Sequence, residues 1–290
     1  MATETELKLQ CTPEGLEQLL QHPRLTGIAP RRQWLRNTYY DTPEQALQQA
    51  RMALRLRRTE CGVVQTLKTA GEEHGGLSRR GEWEWALDEE QPDTDALSDV
   101  GLSGLTPDLL DRLEPAFTTD FHRTTWHVTF DDIDIELAFD QGTIQAGGNA
   151  TDICEIELEL KTGHSARQGE QALLGLARTL TDTLACRPAN ASKAARAARL
   201  AKRQWPQAEP DATAHARLDA VIAGLDAYAD SGEQRHYDAA CQAARALADD
   251  SDPAIAVPAE SLTLALTEGQ WLSTTASGPA LALIERLYMG

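Results

Sequence analysis

Apolar and polar residues alternate with a period of two along much of the first 161 positions. Across 52–59, apolar residues alternate with arginines, and across 153–161 they alternate with three glutamates. Side chains two positions apart share one face of a β-strand, so each segment is predicted to be a strand with one charged and one apolar face. Further strands are predicted at 4–9, 31–41, 63–69, 80–85, 117–130 and 133–140. Strands that follow one another with few long crossovers predict an antiparallel β-barrel.

Glycine, proline and threonine mark where some of these elements begin and end. Gly142 is predicted to turn strand 133–140 back onto residues 143–146 as a hairpin. Thr12 is predicted to be the N-cap of a first short helix, with Pro13 in the first helical position.

Helical periodicity replaces the alternation from position 165 onward. It predicts helices over 165–184 and 191–205, and an alanine-rich helical region over 211–290 with breaks near 231–232, 250–253 and 277–279. A linker is predicted at 206–210. The chain is therefore expected to combine a barrel domain at 1–205 with a small α-helical C-terminal domain at 206–290, an α+β architecture.

Two arrangements of the barrel fit the alternation. The apolar faces could form an ordinary core, or the charged faces could line a polar lumen while helices cover the apolar outside. The second arrangement is favoured because the charged faces combine arginines and lysines, which pair with phosphate, with glutamates, which are hard oxygen ligands for Mg²⁺ or Mn²⁺. The two sets of charges would balance around a polyanion that carries divalent cations. The sequence therefore predicts a small-molecule polyanion as the ligand.

The composition limits the classes of partner. The 290 residues carry a formal net charge of −18, which disfavours binding to nucleic acid or to an anionic membrane through the overall field. The five cysteines show no C-x-x-C spacing and are expected to be reduced thiols. No basic segment followed by an apolar run begins the sequence, and no stretch of about 18 apolar residues occurs in it. A cytoplasmic protein, monomeric or homodimeric, is therefore expected, with no nucleic-acid or membrane partner.

The first charged run, Glu4-Thr5-Glu6-Leu7-Lys8, is by itself more typical of a solvated edge strand than of a site. Other charged motifs follow it in the order Arg55-x-Arg57, Lys68, Arg80 with Glu82, Arg123, Asp140, Glu155-x-Glu157-x-Glu159 and Ser192-Lys193. Together, and in this order, the motifs resemble the CYTH family, the triphosphate tunnel metalloenzymes, over roughly residues 1–205. Local strings such as 39–42 resemble the bacterial inorganic triphosphatases of this family.

The resemblance implies an eight-stranded antiparallel β-barrel tunnel with flanking helices, which hydrolyses inorganic triphosphate (tripolyphosphate) to pyrophosphate and phosphate. Two Mg²⁺ or Mn²⁺ ions are expected when the substrate is bound. The residues implied to bind the triphosphate are Lys8, Arg55, Arg57, Lys68, Arg80, Arg123 and Lys193. The implied metal ligands are Glu4, Glu6, Asp140, Glu155, Glu157 and Glu159. The implied catalytic set is Glu4, Glu6, Lys8, Arg55, Arg57 and Lys193.

The C-terminal helices resemble a domain of other tunnel enzymes less closely than the barrel does. Some tunnel enzymes carry a helical CHAD domain after the barrel, thought to bind polyphosphate through histidines and basic residues. Residues 206–290 are too few for a complete domain of this kind, and they are acidic. A truncated or degenerate CHAD-like region is therefore expected, without polyphosphate binding.

Other functions stay open on the sequence alone. A class IV-type adenylate cyclase, or a phosphatase for thiamine triphosphate or a nucleoside triphosphate, would need a tunnel entrance wide enough for an organic group. The intact acidic set argues against a polyphosphate-binding module without turnover, because such a module could lose Glu4 or Glu157 and keep its arginines. A barrel with an ordinary core, whose helical tail mediates assembly, would have no charged lumen.

Overall fold

The fold combines one large sheet with helices on its outside. The computed structural model describes residues 2–161, 165–206 and 213–290. The strands are β1 Ala2–Cys11, β2 Arg31–Asp41, β3 Ala53–Thr59, β4 Gly62–His74, β5 Leu77–Leu87, β6 Glu114–Phe130, β7 Ile133–Ala146, β8 Asn149–Leu160 and β9 Cys186–Pro188. The helices are α1 Gly15–Gln21, α2 Ala46–Gln49, α3 Thr94–Asp99, α4 Pro107–Leu110, α5 Ala166–Thr181, α6 Lys193–Lys202, α7 Ala214–Ser231, α8 Gln234–Ala248, α9 Pro253–Thr267 and α10 Thr274–Ile284. The α+β class predicted from the sequence is confirmed.

Eight of the strands close into an antiparallel barrel. Their hydrogen-bonded order is β5-β4-β3-β2-β6-β7-β8-β1, and β1 closes the barrel because it also pairs with β5. The short strand β9 pairs with residues 9–11 of β1, beyond the segment that pairs with β5. The expected eight-stranded antiparallel barrel is therefore confirmed, and β9 is an addition to it.

The apolar faces of β1, β7 and β8 point outward and are covered by helices. Leu7 of β1 and Leu158 of β8 are fully buried in a hydrophobic cluster that includes Leu173 and Leu176 of α5. The alternate residues of the same strands, such as Lys8 and Glu157, line a cavity inside the barrel. Of the two arrangements that fit the alternation, the one with a charged lumen is therefore confirmed.

Helix α6 closes one end of the lumen. Its residues Ala197 and Leu200 pack in a small apolar cluster with Leu35 of β2, Phe121 of β6 and Ile144 of β7. Phe121 lies two residues before Arg123 on β6, so it shares the inward face of that strand. The apolar residues of α6 thus fill one end of the barrel, and the rest of the lumen stays polar.

Two predicted boundaries are wrong in an informative way. Gly142 does not turn the chain, because β7 is continuous from Ile133 to Ala146 and the turn falls at Gly147 and Gly148. Gly142 is placed opposite Phe121, and a Cβ atom on it would lie 2.1 Å from the carbonyl oxygen of Asp120. The glycine therefore permits a close approach of two strands. The first helix begins at Gly15 with no side-chain cap, so Thr12 is not its N-cap.

Within the described residues, the C-terminal region has four α-helices, as expected, and a short π-helical segment at Glu285–Met289, but one break lies elsewhere. Residues 277–279 lie inside α10, and the chain instead breaks around Gly269, where φ is 76°. Most of the predicted linker at 206–210 lies outside the described residues. Buried residues of α7–α10 share one hydrophobic cluster with α5 and the barrel. Within the described ranges, no helix has the length and apolar character needed to cross a membrane.

Candidate active site

The charged strand faces enclose a polar cavity of about 300 Å³. Its glutamate, lysine and arginine lining residues are Glu4, Lys8, Arg31, Arg55, Arg57, Lys68, Arg80, Glu82, Glu84, Arg123, Glu136, Glu157, Glu159, Lys161 and Lys193. Three of the predicted residues, Glu6, Asp140 and Glu155, do not line the cavity but contact cations that do. The structure thus brings every predicted site residue to this lumen or directly behind its wall.

The first strand supplies an acidic corner that is compensated by cations from β4 and β5. Lys68 donates to both carboxylate oxygens of Glu4, at 2.7 and 2.8 Å. Arg80 spans two residues of β1, with Nε 3.0 Å from Glu4 and Nη2 2.9 Å from Glu6. Although burial alone would raise it, Lys68 and Arg80 lower the pKa of Glu4 to about 2. Glu4 is therefore ionised at neutral pH.

Helix α6 delivers Lys193 to the wall that β7 and β8 form. Ser192 caps the helix by accepting a hydrogen bond from the Ala195 N–H at 3.2 Å, which fixes where the helix begins. The Lys193 ammonium lies 2.7 Å from Asp140 and 3.0 Å from Glu157, and it also contacts Glu155. Burial opposes its charge, but these three carboxylates raise the pKa of Lys193. The buried lysine is therefore a cation.

Arg123 of β6 ties the same carboxylates together. Its Nε and Nη2 atoms each lie 2.7 Å from one oxygen of Asp140, which is the bidentate arrangement, and Nη2 also contacts Glu157. Asp140 has no exposed surface. Because Asp140 cannot reach water, its charge depends on Arg123 and Lys193.

The third wall is rich in cations and poor in anions. Arg57 donates to the amide oxygen of Asn37 at 2.9 Å and, among the described residues, has no carboxylate partner. Arg55 donates to Thr66 at 3.0 Å, and it lies 3.8 Å from the half-exposed Glu84. Its buried Nε has no hydrogen-bond partner in the part of the chain that the structure describes. Burial, with repulsion from Arg55 and Arg123, lowers the pKa of Arg57 to about 9. Arg55 and Arg57, here called the arginine pair, are thus poorly compensated by the protein.

Glu159 is a carboxylate of the lumen whose negative charge is poorly compensated by cations. Burial raises the pKa of Glu159 to about 7, although Lys161 lies 2.9 Å away. Ligand atoms of Asp140, Glu155 and Glu157 lie within 4.8 Å of one another. Carboxylate oxygens are the ligands that a hard divalent cation such as Mg²⁺ or Mn²⁺ prefers, but the Lys193 ammonium contacts all three of these carboxylates, and of the three Glu157 lines the cavity. The poorly compensated Glu159 also lines the cavity, so Glu157 and Glu159 are the β8 carboxylates that fit such an ion.

Several site residues were not predicted from the sequence. Asn37 and Thr66 orient the arginine pair, and Glu136 and Lys161 form an ion pair of 3.3 Å at the rim of the cavity. Glu136 lies four residues before Asp140 on β7, so strand parity could have found it. Asn37 gives no charge signal in the sequence, and its role depends on a neighbouring strand.

A second chamber adjoins the charged lumen at the end that α6 covers. Its volume is about 370 Å³, and its lining combines five alanines of α6, two apolar residues of β3 and the rings of Tyr39 and Phe117 with polar and charged residues such as Asp41, Arg51 and Glu73. These two rings are stacked with centroids 4.3 Å apart. Lys68 and Arg80 line both cavities, so the two spaces share a wall.

A closed antiparallel barrel with oppositely charged side chains inside it defines a β-tunnel protein with an ionic interior. The particular family follows from comparison with known sequences. The CYTH domain model matches residues 2–198, about two thirds of the chain, and the chain therefore belongs to the CYTH family. The family predicted from the order of the charged motifs is thus confirmed.

Two known proteins are similar to parts of the chain. The inorganic triphosphatase of Haemophilus influenzae is 41% identical over 168 residues, which cover 57% of this chain and 47% of that protein. The chain thus spans about half the length of this curated relative. A solved structure from Hippeastrum, of an adenylyl cyclase candidate described as having a dominant triphosphatase activity, has a TM-score of 0.50 at 18% identity. It covers 70% of this chain and 97% of its own, and at this identity it supports the fold alone.

Proposed function

We propose that the protein hydrolyses inorganic triphosphate to pyrophosphate and phosphate in a reaction that depends on Mg²⁺ or Mn²⁺. The observation that carries the proposal is the arginine pair, two guanidinium groups that face the lumen with little carboxylate compensation. Guanidinium groups bind phosphate oxygens in a bidentate manner, and a chain of phosphates would supply the missing negative charge. The similarity to an inorganic triphosphatase supports the same substrate.

The chain's own contribution to the reaction is positioning and charge stabilisation. Arg55 and Arg57 would bind one end of the triphosphate, and Lys8 and Lys193, which both contact Glu157, would approach it from the side of β1 and β8. Lys68, Arg80 and Arg123 would complete the set while they stay paired with carboxylates. In the reaction a water oxygen attacks a terminal phosphorus, the anhydride bond breaks, and these cations stabilise the charge on the leaving pyrophosphate.

The predicted metal ligands stay part of this proposal. Glu4, Glu157 and Glu159 would hold the ions because their side chains line the cavity. Glu6, Asp140 and Glu155 lie behind them and would contribute through the cations that they contact. When bound, Mg²⁺ or Mn²⁺ would neutralise phosphate charge and lower the pKa of a coordinated water.

A second candidate substrate is an organic triphosphate, and the second chamber is the observation that favours it. A stacked aromatic pair and an alanine-rich helix face beside the charged lumen offer space and contact surface for a base or another ring. Hydrolysis of a nucleoside or thiamine triphosphate, or cyclisation of ATP, would use this space.

One experiment separates these functions. Phosphate and cyclic AMP are measured with tripolyphosphate, ATP and thiamine triphosphate, each with Mg²⁺, with Mn²⁺ and with chelator. We expect metal-dependent phosphate release, fastest from tripolyphosphate, and a loss of at least about a hundredfold in Glu157→Gln. Glu260→Gln, an exposed carboxylate on α9, is the matched control. No release from any substrate would refute the hydrolase, and tight binding of tripolyphosphate without turnover would identify a binding module.

Several further expectations have not been tested and stay predictions. These are the division into a tunnel domain at 1–205 and a CHAD-like helical region at 206–290, the cytoplasmic location, the monomeric or homodimeric state, and the lack of nucleic-acid and membrane partners.

A further inference from the structure

The C-terminal helix α7 reaches the segment that leads into α6. Asp226 of α7 is buried and accepts three hydrogen bonds from that segment and the strand before it. Its Oδ1 accepts from Arg187 at 2.8 Å, and its Oδ2 accepts from the backbone N–H groups of Asn190 at 3.1 Å and Ala191 at 2.9 Å. All three contacts lie within six residues of Lys193, so Asp226 fixes the backbone from which the lysine enters the tunnel.

The same segment is fixed from its other side by the barrel. The Asn190 side chain accepts from the Gly76 N–H at 2.6 Å. The carbonyl of Gly76 accepts from the Lys8 N–H at 2.9 Å, and the Lys8 carbonyl accepts from the Ala189 N–H at 3.1 Å. The chain before α6 is therefore held between the barrel and α7, and only the α7 side is provided by the C-terminal region.

A second carboxylate of α7 acts one helical turn further along α6. Asp230 accepts from Arg196 Nε at 3.0 Å and from its Nη2 at 2.6 Å. Arg196 also donates to the carbonyl of Asp152 at 2.6 Å and lies 3.7 Å from Glu155, which contacts Lys193. Residues three apart share a face of a helix, so Asp230 fixes the face of α6 that carries Lys193.

Neither aspartate lines the charged lumen, so neither can touch a ligand there. Stability alone does not require these ion pairs, because apolar residues that pack well can replace a buried ion pair with little change in the free energy of unfolding. The two carboxylates instead fix the position of the backbone that carries Lys193, because each accepts hydrogen bonds from several donors at defined places on that segment.

We infer that Asp226 and Asp230 are positioning residues that hold Lys193 at the triphosphate site, which makes α7 part of the active-site framework. This inference rests on the proposed function for the part that concerns binding. It extends that function by assigning a role to helices that the sequence comparison with tunnel domains leaves outside the matched residues.

The first test does not depend on activity. In the full-length chain, Asp226→Asn keeps the size of the side chain but turns one acceptor into a donor that faces other donors. We expect hydrogen exchange at the amides of 190–198 to accelerate by about tenfold or more, since the local opening is no longer opposed by these bonds. Asp238→Asn, an exposed aspartate of α8, is the matched control and should change nothing there. Unchanged exchange in Asp226→Asn would overturn the positioning role.

The second test asks whether the effect acts through Lys193. Binding of tripolyphosphate with Mg²⁺ is measured for Asp226→Asn, Lys193→Met and the double variant. We expect about a tenfold rise in Kd for Asp226→Asn alone and no further rise when it is added to Lys193→Met. Multiplicative losses would show a general structural role and refute the inference. If the wild type does not bind tripolyphosphate, the proposed function fails, and the exchange experiment still decides whether α7 positions α6.

Discussion

Two arginines that line the lumen, Arg57 and Arg123, should respond in opposite ways to the same substitution. Arg123 makes three bonds to two carboxylates, the buried Asp140 and the partly buried Glu157, so Arg123→Met leaves both undercompensated and should lower the free energy of unfolding by about 3–5 kcal/mol. Arg57 has a single bond, to Asn37, and a neighbour of like charge. Arg57→Met should therefore leave stability unchanged or raise it slightly, while it removes a charge-assisted contact to phosphate worth about 2 kcal/mol, or roughly 30-fold in affinity.

The two quantities are measured on the same samples. Urea unfolding gives the free energy of unfolding, and calorimetric titration with tripolyphosphate and Mg²⁺ gives the Kd. Each variant is the control for the other, because both replace one lumen arginine by methionine. Two results would contradict this prediction: that Arg57→Met destabilises the protein as much as Arg123→Met does, or that it binds tripolyphosphate as tightly as the wild type.

Three further predictions concern the metal, a histidine and a glycine. Chelator alone should leave the melting temperature unchanged, because the tunnel carboxylates are already paired with lysine and arginine side chains. Mg²⁺ with tripolyphosphate should raise the melting temperature by several degrees. A fall in the melting temperature with chelator would contradict this prediction. Burial lowers the pKa of His236, so the unfolded chain takes up the proton first as the pH falls below 6.5. The free energy of unfolding measured with urea should therefore drop by at most about 1.4 kcal/mol per pH unit, and the drop should be smaller in His236→Gln. Equal slopes in the two proteins would contradict this prediction. Gly142→Ala should lower the free energy of unfolding by about 3 kcal/mol in the same urea assay, because its Cβ would meet a backbone oxygen. Gly278→Ala should not lower it, because the space around Gly278 is open. Equal effects of the two substitutions would show that the close approach at Gly142 is relieved.

The inward-facing residues of the tunnel could be predicted from the sequence wherever the pattern involves only neighbouring residues. Strand alternation has a period of two, so the inward faces of β3 and β8 follow from neighbouring residues alone. Arg57 and Glu157 accordingly line one cavity, as the alternation predicted. Gly142 was misread because a glycine in a strand can mark either a turn or a close approach, and the deciding atom belongs to Asp120, on another strand.

Contacts between distant segments could not be predicted from spacing. Strand parity puts Glu155, Glu157 and Glu159 on one face, but it does not say which of them meets the helix that closes the barrel. In the structure Glu155 lies behind Lys193, whereas Glu159 lines the cavity and pairs with Lys161. The depth of each glutamate depends on where α6 packs, and that depends on contacts as remote as the one between Arg187 and Asp226.

The charge inside the barrel bears on why a metal would be required. Among the described residues, the cations that line the cavity are Lys8, Arg31, Arg55, Arg57, Lys68, Arg80, Arg123, Lys161 and Lys193, and its carboxylates are Glu4, Glu82, Glu84, Glu136, Glu157 and Glu159. With Glu6, Asp140 and Glu155 directly behind the wall, the formal charges of the two signs are equal in number. A triphosphate carries about four to five negative charges, since terminal phosphates contribute up to two each. A lumen that is neutral by itself cannot compensate this charge, and two divalent cations that enter with the triphosphate would offset nearly all of it. The same balance explains how a chain with a net charge of −18 could bind a polyanion: the compensation is local, and part of it would come with the ligand.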